Sequence, residues 1–158
     1  MSLTITSPEF KHNQTMPAQY TCEGDNISPP LAWNAPPAGT QSLVLIVDDP
    51  DAPDPDAPKM TWVHWVLYNL PPVAGSLPAG MQEFELPGKT LVGTNDRKNV
   101  GYNGPCPPVG THRYFHKLYA LDTVLPDLHA PTKAEVLRHI DGHVLAEAEL
   151  IGLYRLTK

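Results

Sequence analysis

Prolines punctuate this chain from Pro8 to Pro131, nineteen of them in 158 residues, and the chain also holds eleven glycines. Each proline removes a backbone donor and fixes φ, so it ends helices and stays out of central strands. Punctuation at that density works against long helices and predicts short strands joined by shaped loops. A chain of this length makes one domain, with a core large enough to hold without cross-links.

Between the prolines, apolar runs mark the strands. Leu43–Val47 is unbroken and rich in branched side chains, which reads as a buried strand. It gives way to Asp48–Asp49–Pro50–Asp51–Ala52–Pro53, where the prolines predict that no strand continues. Thr61–Tyr68 is the next strand. Strict alternation would put Trp62, His64, Val66 and Tyr68 on one face and Val63, Trp65 and Leu67 on the other. His112–Leu121 would carry His112, Tyr114, His116 and Leu118 on one face and Arg113, Phe115, Lys117 and Tyr119 on the other. Shorter strands are expected at Leu3–Ile5 and Ala18–Cys22, at Leu31–Trp33 as an edge, and at Ala146–Leu156. Met81–Leu86 reads as a brief strand or a helical turn. One helix is expected after Pro131, where Thr132 and Glu135 match a capping box, Val136, Leu137 and Ile140 form an apolar stripe, and Gly142 ends it. The fold class is therefore mostly β. The stretch from Pro87 to Gly110 is long for a loop in a compact domain, and loops of that length are usually functional or cover something.

Charge narrows the function. The formal net charge is −6, the pI is about 5.5, and no Lys/Arg cluster occurs. Neither nucleic acid nor an anionic membrane surface has its electrostatic footprint here, so any bound anion must be held by a local site. No apolar run approaches the ~20 residues that span a bilayer. The segment MSLTITSPEF lacks the basic and apolar regions of a signal peptide. The expected location is cytoplasmic, with Cys22 and Cys106 as thiols in a reducing cytosol. Their pairing as a disulfide depends on a separation that sequence does not supply.

Three segments carry a family resemblance. Asp49–Pro50–Asp51–Ala52–Pro53 with Trp62–Val63–His64–Trp65 resembles the first signature of the phosphatidylethanolamine-binding proteins. Gly104–Pro105–Cys106–Pro107–Pro108 with Gly110–Thr111–His112–Arg113–Tyr114 resembles the second, and Gly24–Trp33 is similar to the segment preceding them in the bacterial, Raf-kinase-inhibitor-like branch. The resemblance implies a large antiparallel sheet packed on a smaller one, with one or two short helices. It also implies a small pocket for a phosphate-like anion or phospholipid head group, lined by Asp49, Asp51, His64, Pro107, His112 and Tyr114. Cys106 stands where family members often have glycine, which puts a thiol near the ligand. A partner kinase or protease and a homodimer are the partners the family implies. No cofactor, metal or catalytic residue is expected.

The residues suit that chemistry. Two imidazoles beside carboxylates make a small, pH-sensitive anion site. An ionised Asp49 repels a dianion unless a proton or cation intervenes. Glycines 104 and 110 would let backbone N–H groups approach the anion. A cis bond before Pro50 or Pro53 is expected in the acidic loop. Simpler readings stand beside these: His64 and His112 as core histidines, Asp48, Asp49 and Asp51 as turn residues, Trp65 as core, and Arg113 as a salt-bridge partner. His12, His116, His129, His139 and His143 have no evident partner. Two enzyme readings compete with binding. One is a metal site of Asp49 or Asp51 with His64 and His112; the other is a hydrolase with Cys106 as nucleophile and a histidine base.

Overall fold

The computed structural model describes residues 2–157. Nine strands and one helix follow one another as β1 (Ile5–Thr6), β2 (Gln14–Thr15), β3 (Leu31–Trp33), β4 (Ser42–Ala52), β5 (Met60–Leu70), β6 (Gly75–Leu77), β7 (Leu91–Val92), β8 (His112–Leu121), α1 (Lys133–Ile140) and β9 (Val144–Tyr154). They form a six-stranded sheet in the order β2-β9-β8-β4-β5-β7 and a three-stranded sheet in the order β1-β3-β6. Every ladder is antiparallel except the two-residue pairing of β2 with β9.

The apolar periods sort side chains into two cores on opposite faces of the large sheet. Leu43, Leu45 and Val47 of β4 and Tyr114, Leu118 and Ala120 of β8 face the small sheet, meeting Ile5, Leu31, Trp33 and Leu77. Val44 and Ile46 face the other way, onto Val136 and Ile140 of α1. The helix starts at its expected capping box, with Glu135 N–H on Thr132 Oγ1 at 3.3 Å and Thr132 N–H on Glu135 Oε1 at 3.1 Å. Asp48 continues the helix-facing row of β4. It is fully buried, and Lys133 of α1 reaches its Oδ2 at 2.6 Å, with Lys117 at 3.4 Å. That ion cluster ties the helix to the sheet, because a buried carboxylate needs paired cations.

Several expectations are corrected. Ala18–Tyr20 is a 3-10 turn that buries Tyr20, where a strand was expected, because Pro17 opens a turn closed by Tyr20 N–H on the Pro17 carbonyl. Leu31–Trp33 is the middle strand of the small sheet, not an edge; Pro29 and Pro30 lie just before it and cost its ladder nothing. Met81–Leu86 contains the 3-10 turn Glu83–Glu85, one of its two expected forms.

β4 itself runs through Pro50 to Ala52, against the expectation that the prolines would stop it. Pairing with β8 ends at Asp48, and the β5 register slips by one residue between Asp49 and Ala52. Pro50 thus sits in a bulge beyond the β8 ladder, where a missing N–H breaks no sheet bond. The Ala52–Pro53 bond is cis.

Candidate functional site

The site lies where β4 ends and β5 and β8 begin. A cavity of about 280 Å³ opens there. Asp49, Ala52 and Pro53 line it from β4 and its end, Met60, Trp62 and His64 from β5, and His112 and Tyr114 from β8. The loop before β8 adds Arg97, Gly104, Cys106, Pro107 and Pro108.

His64 reaches this cavity through a bulge. Val47 pairs with Trp65 while Asp48 pairs with Val63, so His64 is an extra residue in β5. Val63 and Val66 face the helix-side core, and Trp65 faces the small sheet with His64 beside it, edge-on to Tyr114 at 5.3 Å. Strict alternation, which would group His64 with Val66 and Tyr68, fails at this residue. β8 carries no such defect near the site, and its expected faces are the observed ones.

Asp49 is the hub of the pocket wall. It is 3% exposed. Its Oδ1 accepts the Asp51 N–H at 2.7 Å and its Oδ2 lies 2.6 Å from His112 Nδ1. His112 Nε2 lies 2.9 Å from the Val109 carbonyl, so both ring nitrogens face oxygens and neither is free for a ligand. Burial first, then Asp49, pushes the Tyr114 hydroxyl far above the ordinary tyrosine range, which keeps it a neutral donor.

His64 differs from His112 in having one nitrogen to spare. Its Nδ1 lies 2.6 Å from the Asn103 carbonyl, and Asn103 N–H returns a bond to the His64 carbonyl at 3.1 Å. Its Nε2 is buried without a hydrogen-bond partner. Burial is the largest influence on this ring and holds its pKa below the usual histidine value, although the Asn103 carbonyl, Asp49 and Asp48 act the other way.

The loop that clamps His64 is built around Asn95, which is 2% exposed. Its amide donates to the Gly101 carbonyl at 2.9 Å and to Asn103 Oδ1 at 2.8 Å, and its Oδ1 accepts the Arg97 N–H at 2.9 Å. Asn95 thereby sets both Asn103 and Arg97. The exposed Arg97 makes no ion pair with a carboxylate among the described residues. Sequence reasoning missed all three. The only signal was an Asn/Asp-rich turn within a long loop, since such side chains bind their own backbone.

Three expectations about the wall change. Cys22 and Cys106 are joined by a disulfide across 84 residues of sequence, so they are not thiols and Cys106 offers no sulfur nucleophile in this form. Cys106 still lines the cavity. Gly104 N–H donates to Asn26 Oδ1 at 2.7 Å instead of facing an anion. Its lack of a side chain serves packing, because an added Cβ would collide with the Tyr20 carbonyl oxygen. Asp51 does not line the cavity; it is bound to Arg113. Asp49, His64, Cys106, Pro107, His112 and Tyr114 do line it together. Among the described residues, no three His, Cys, Asp or Glu side chains are grouped to share a metal ion.

The model of a family described as phosphatidylethanolamine-binding protein matches residues 6–155. A relative from Methanothermobacter thermautotrophicus, called UPF0098 protein, is 47% identical over 97% of this chain and 99% of its own length. The crystal structure of a phosphatidylethanolamine-binding protein homolog from Chlamydia trachomatis superposes with a TM-score of 0.89 at 41% identity, covering 98% of both chains. YbcL of E. coli superposes with a TM-score of 0.87 at 31% identity, covering 99% of this chain and 100% of its own.

Proposed function

The chain belongs to the phosphatidylethanolamine-binding protein family, a ligand-binding family, and we propose that it binds a small phosphate-like anion in the Asp49–His64–His112 cavity without chemical turnover. One observation carries this reading. His64, whose Nε2 is buried with no hydrogen-bond partner among the described residues, lines the cavity together with Arg97, which pairs with no carboxylate among those residues. Asp49, the one carboxylate in the wall among the described residues, is already engaged by His112 and the Asp51 amide, which lessens its repulsion of an arriving anion. Pro53, Met60, Trp62 and Pro108 add apolar surface to the cavity beside the guanidinium.

Titration calorimetry of inorganic phosphate and O-phosphoethanolamine at pH 7 tests the reading. Saturable binding is expected, weakened roughly tenfold by Arg97→Ala, the loss of one charge-assisted contact. Absence of saturable heat in the wild type, or equal affinity in the variant, would overturn it. Inhibition of a partner kinase or protease is a separate layer that pull-down from the native host addresses.

No helix among the described residues is long and apolar enough to cross a membrane. The disulfide bears on location, since such bonds persist in oxidising compartments and inside hyperthermophiles. Cell fractionation decides between the cytoplasm and an oxidising compartment.

A further inference from the structure

The geometry points to a pocket that selects an anion bringing its own proton, a hydrogen phosphate or phosphomonoester with a P–OH group, and that discriminates against sulfate. This rests on the anion-binding reading above and names the ligand class for the same cavity.

The Asn103 carbonyl can only accept, so the 2.6 Å contact places a proton on His64 Nδ1. The returning bond from Asn103 N–H to the His64 carbonyl fixes strand and loop together. A neutral imidazole protonated at Nδ1 presents a lone pair at Nε2, the atom left buried and unpartnered among the described residues on a ring that lines the cavity. An anionic oxygen placed there meets an acceptor, so one proton must lie between them. HPO₄²⁻ carries that proton as P–OH, and a monoester carries it as its monoanion. Sulfate and a phosphodiester have none near neutral pH. Either P–O–H donates to Nε2, or the proton crosses to give P–O⁻ and N–H⁺; the complex holds the same single proton in both forms.

The charged and titratable groups facing His64 do not supply that proton from elsewhere. From β4 come Asp48, bound to Lys117 and Lys133, and Asp49, held by His112. From the loop comes Arg97, whose charge disfavours a second proton on the ring. From β8 come His112, Tyr114 and His116, the last fully buried and neutral in character because burial pushes it down to about 4. Charging His64 for sulfate therefore works against burial, which dominates its environment.

Calorimetry at pH 7 with inorganic phosphate, methyl phosphate, dimethyl phosphate and sulfate tests the inference on the whole chain. Phosphate is expected to bind roughly ten- to a hundredfold more tightly than sulfate or dimethyl phosphate, the penalty of an acceptor facing an acceptor. Methyl phosphate, whose second pKa is about 6, should lose affinity about tenfold per pH unit above that value, whereas inorganic phosphate, which keeps a P–OH, should not. The two ligands thus separate free phosphate from an esterified source. His64→Gln, which can offer an amide N–H, should narrow the phosphate-to-sulfate ratio. If that variant does not fold, wild-type heats in buffers of different ionisation enthalpy carry the test, with sulfate expected to draw one proton from solution. Sulfate binding as tight as phosphate and without proton uptake would overturn the inference while leaving an anion site. No binding of any of the four would remove the anion site itself, and the inference with it.

Discussion

Arg113 holds Asp51 by three hydrogen bonds, all of 2.9 Å: its backbone N–H and its Nε to Oδ2, and its Nη2 to Oδ1. The clasp takes over where the β4–β8 ladder stops, so a side chain replaces sheet pairing beyond Asp48. The Arg113 hydrogen bonds hold the Asp51 carboxyl below its ordinary value. A depressed carboxylate contributes stability above the unfolded pKa near 4 and loses it as pH falls through the lower folded value. Asp51→Asn should cost about 1–2 kcal/mol at pH 7, a modest figure because the guanidinium is half exposed. Phosphate affinity should stay within about twofold. Urea unfolding and calorimetry on one preparation give both numbers; a large loss of affinity would return Asp51 to the binding site.

His116 should set the behaviour of the fold in mild acid. It is buried among Phe10 and the strands, with Nδ1 near the carbonyls of Tyr114 and Leu150, and its pKa is pushed down to about 4 by burial. The unfolded chain takes a proton near 6.5 that the folded chain refuses until about 4. Stability therefore falls across that window, by up to about 3 kcal/mol from this residue, and is unaffected by it above pH 7. His116→Gln should flatten much of the slope between pH 6.5 and 4 in urea midpoints. An unchanged slope would show that His116 is not the group responsible.

The disulfide should matter more to stability than to the shape of the pocket. Closing a loop of 84 residues removes about 4.5 kcal/mol of chain entropy from the unfolded state. Reduction, or Cys22→Ser with Cys106→Ser, should lower the melting temperature by about 10 °C. Phosphate affinity should hold, because Cys22 N–H still reaches the Pro105 carbonyl at 3.0 Å and Gly104 N–H still reaches Asn26. Loss of binding at a temperature where the reduced protein remains folded would make the cross-link part of the site.

Gly104→Ala should damage the pocket wall directly. The new methyl meets backbone at Tyr20 and Thr21, which cannot swing aside as a side-chain tip would. A cost of about 2–3 kcal/mol is expected, with weakened phosphate binding, as the Cys106–Pro107 segment shifts. Thermal melts and calorimetry decide it; a variant as stable and as tight as wild type would mean the loop is looser than its contacts indicate.

How much of this was legible beforehand depended on range. β8 was readable through all ten residues because its alternation is unbroken at the site, and α1 was readable from Thr132 and Glu135, three residues apart. Pro50 misled, because whether a missing N–H is costly depends on which neighbour pairs at that position. His64 was found by its motif and rightly set beside Trp62, but wrongly grouped with Val66 and Tyr68, since an inserted residue leaves no mark on local pattern. Asn103 owes its role to a contact across the fold, 39 residues from His64, and Asn95 and Arg97 matter only because their local loop network is anchored there. The Cys22–Cys106 bond is of the same kind, and the Asp51–Arg113 pair was half visible, as a salt bridge for Arg113 without its partner.

The bulge at His64 works as a phase slip in an otherwise periodic strand. It lets two successive residues serve one side, Trp65 for the interior and His64 for the ligand. Removing a single residue between Met60 and Val63 invites the slip to anneal. The ladder would then gain regularity while the imidazole rotated toward the helix. Selection for a more perfect sheet and selection for a binding site therefore pull this strand in opposite directions, and the length of the β4–β5 connection is where a lineage would record which one prevailed.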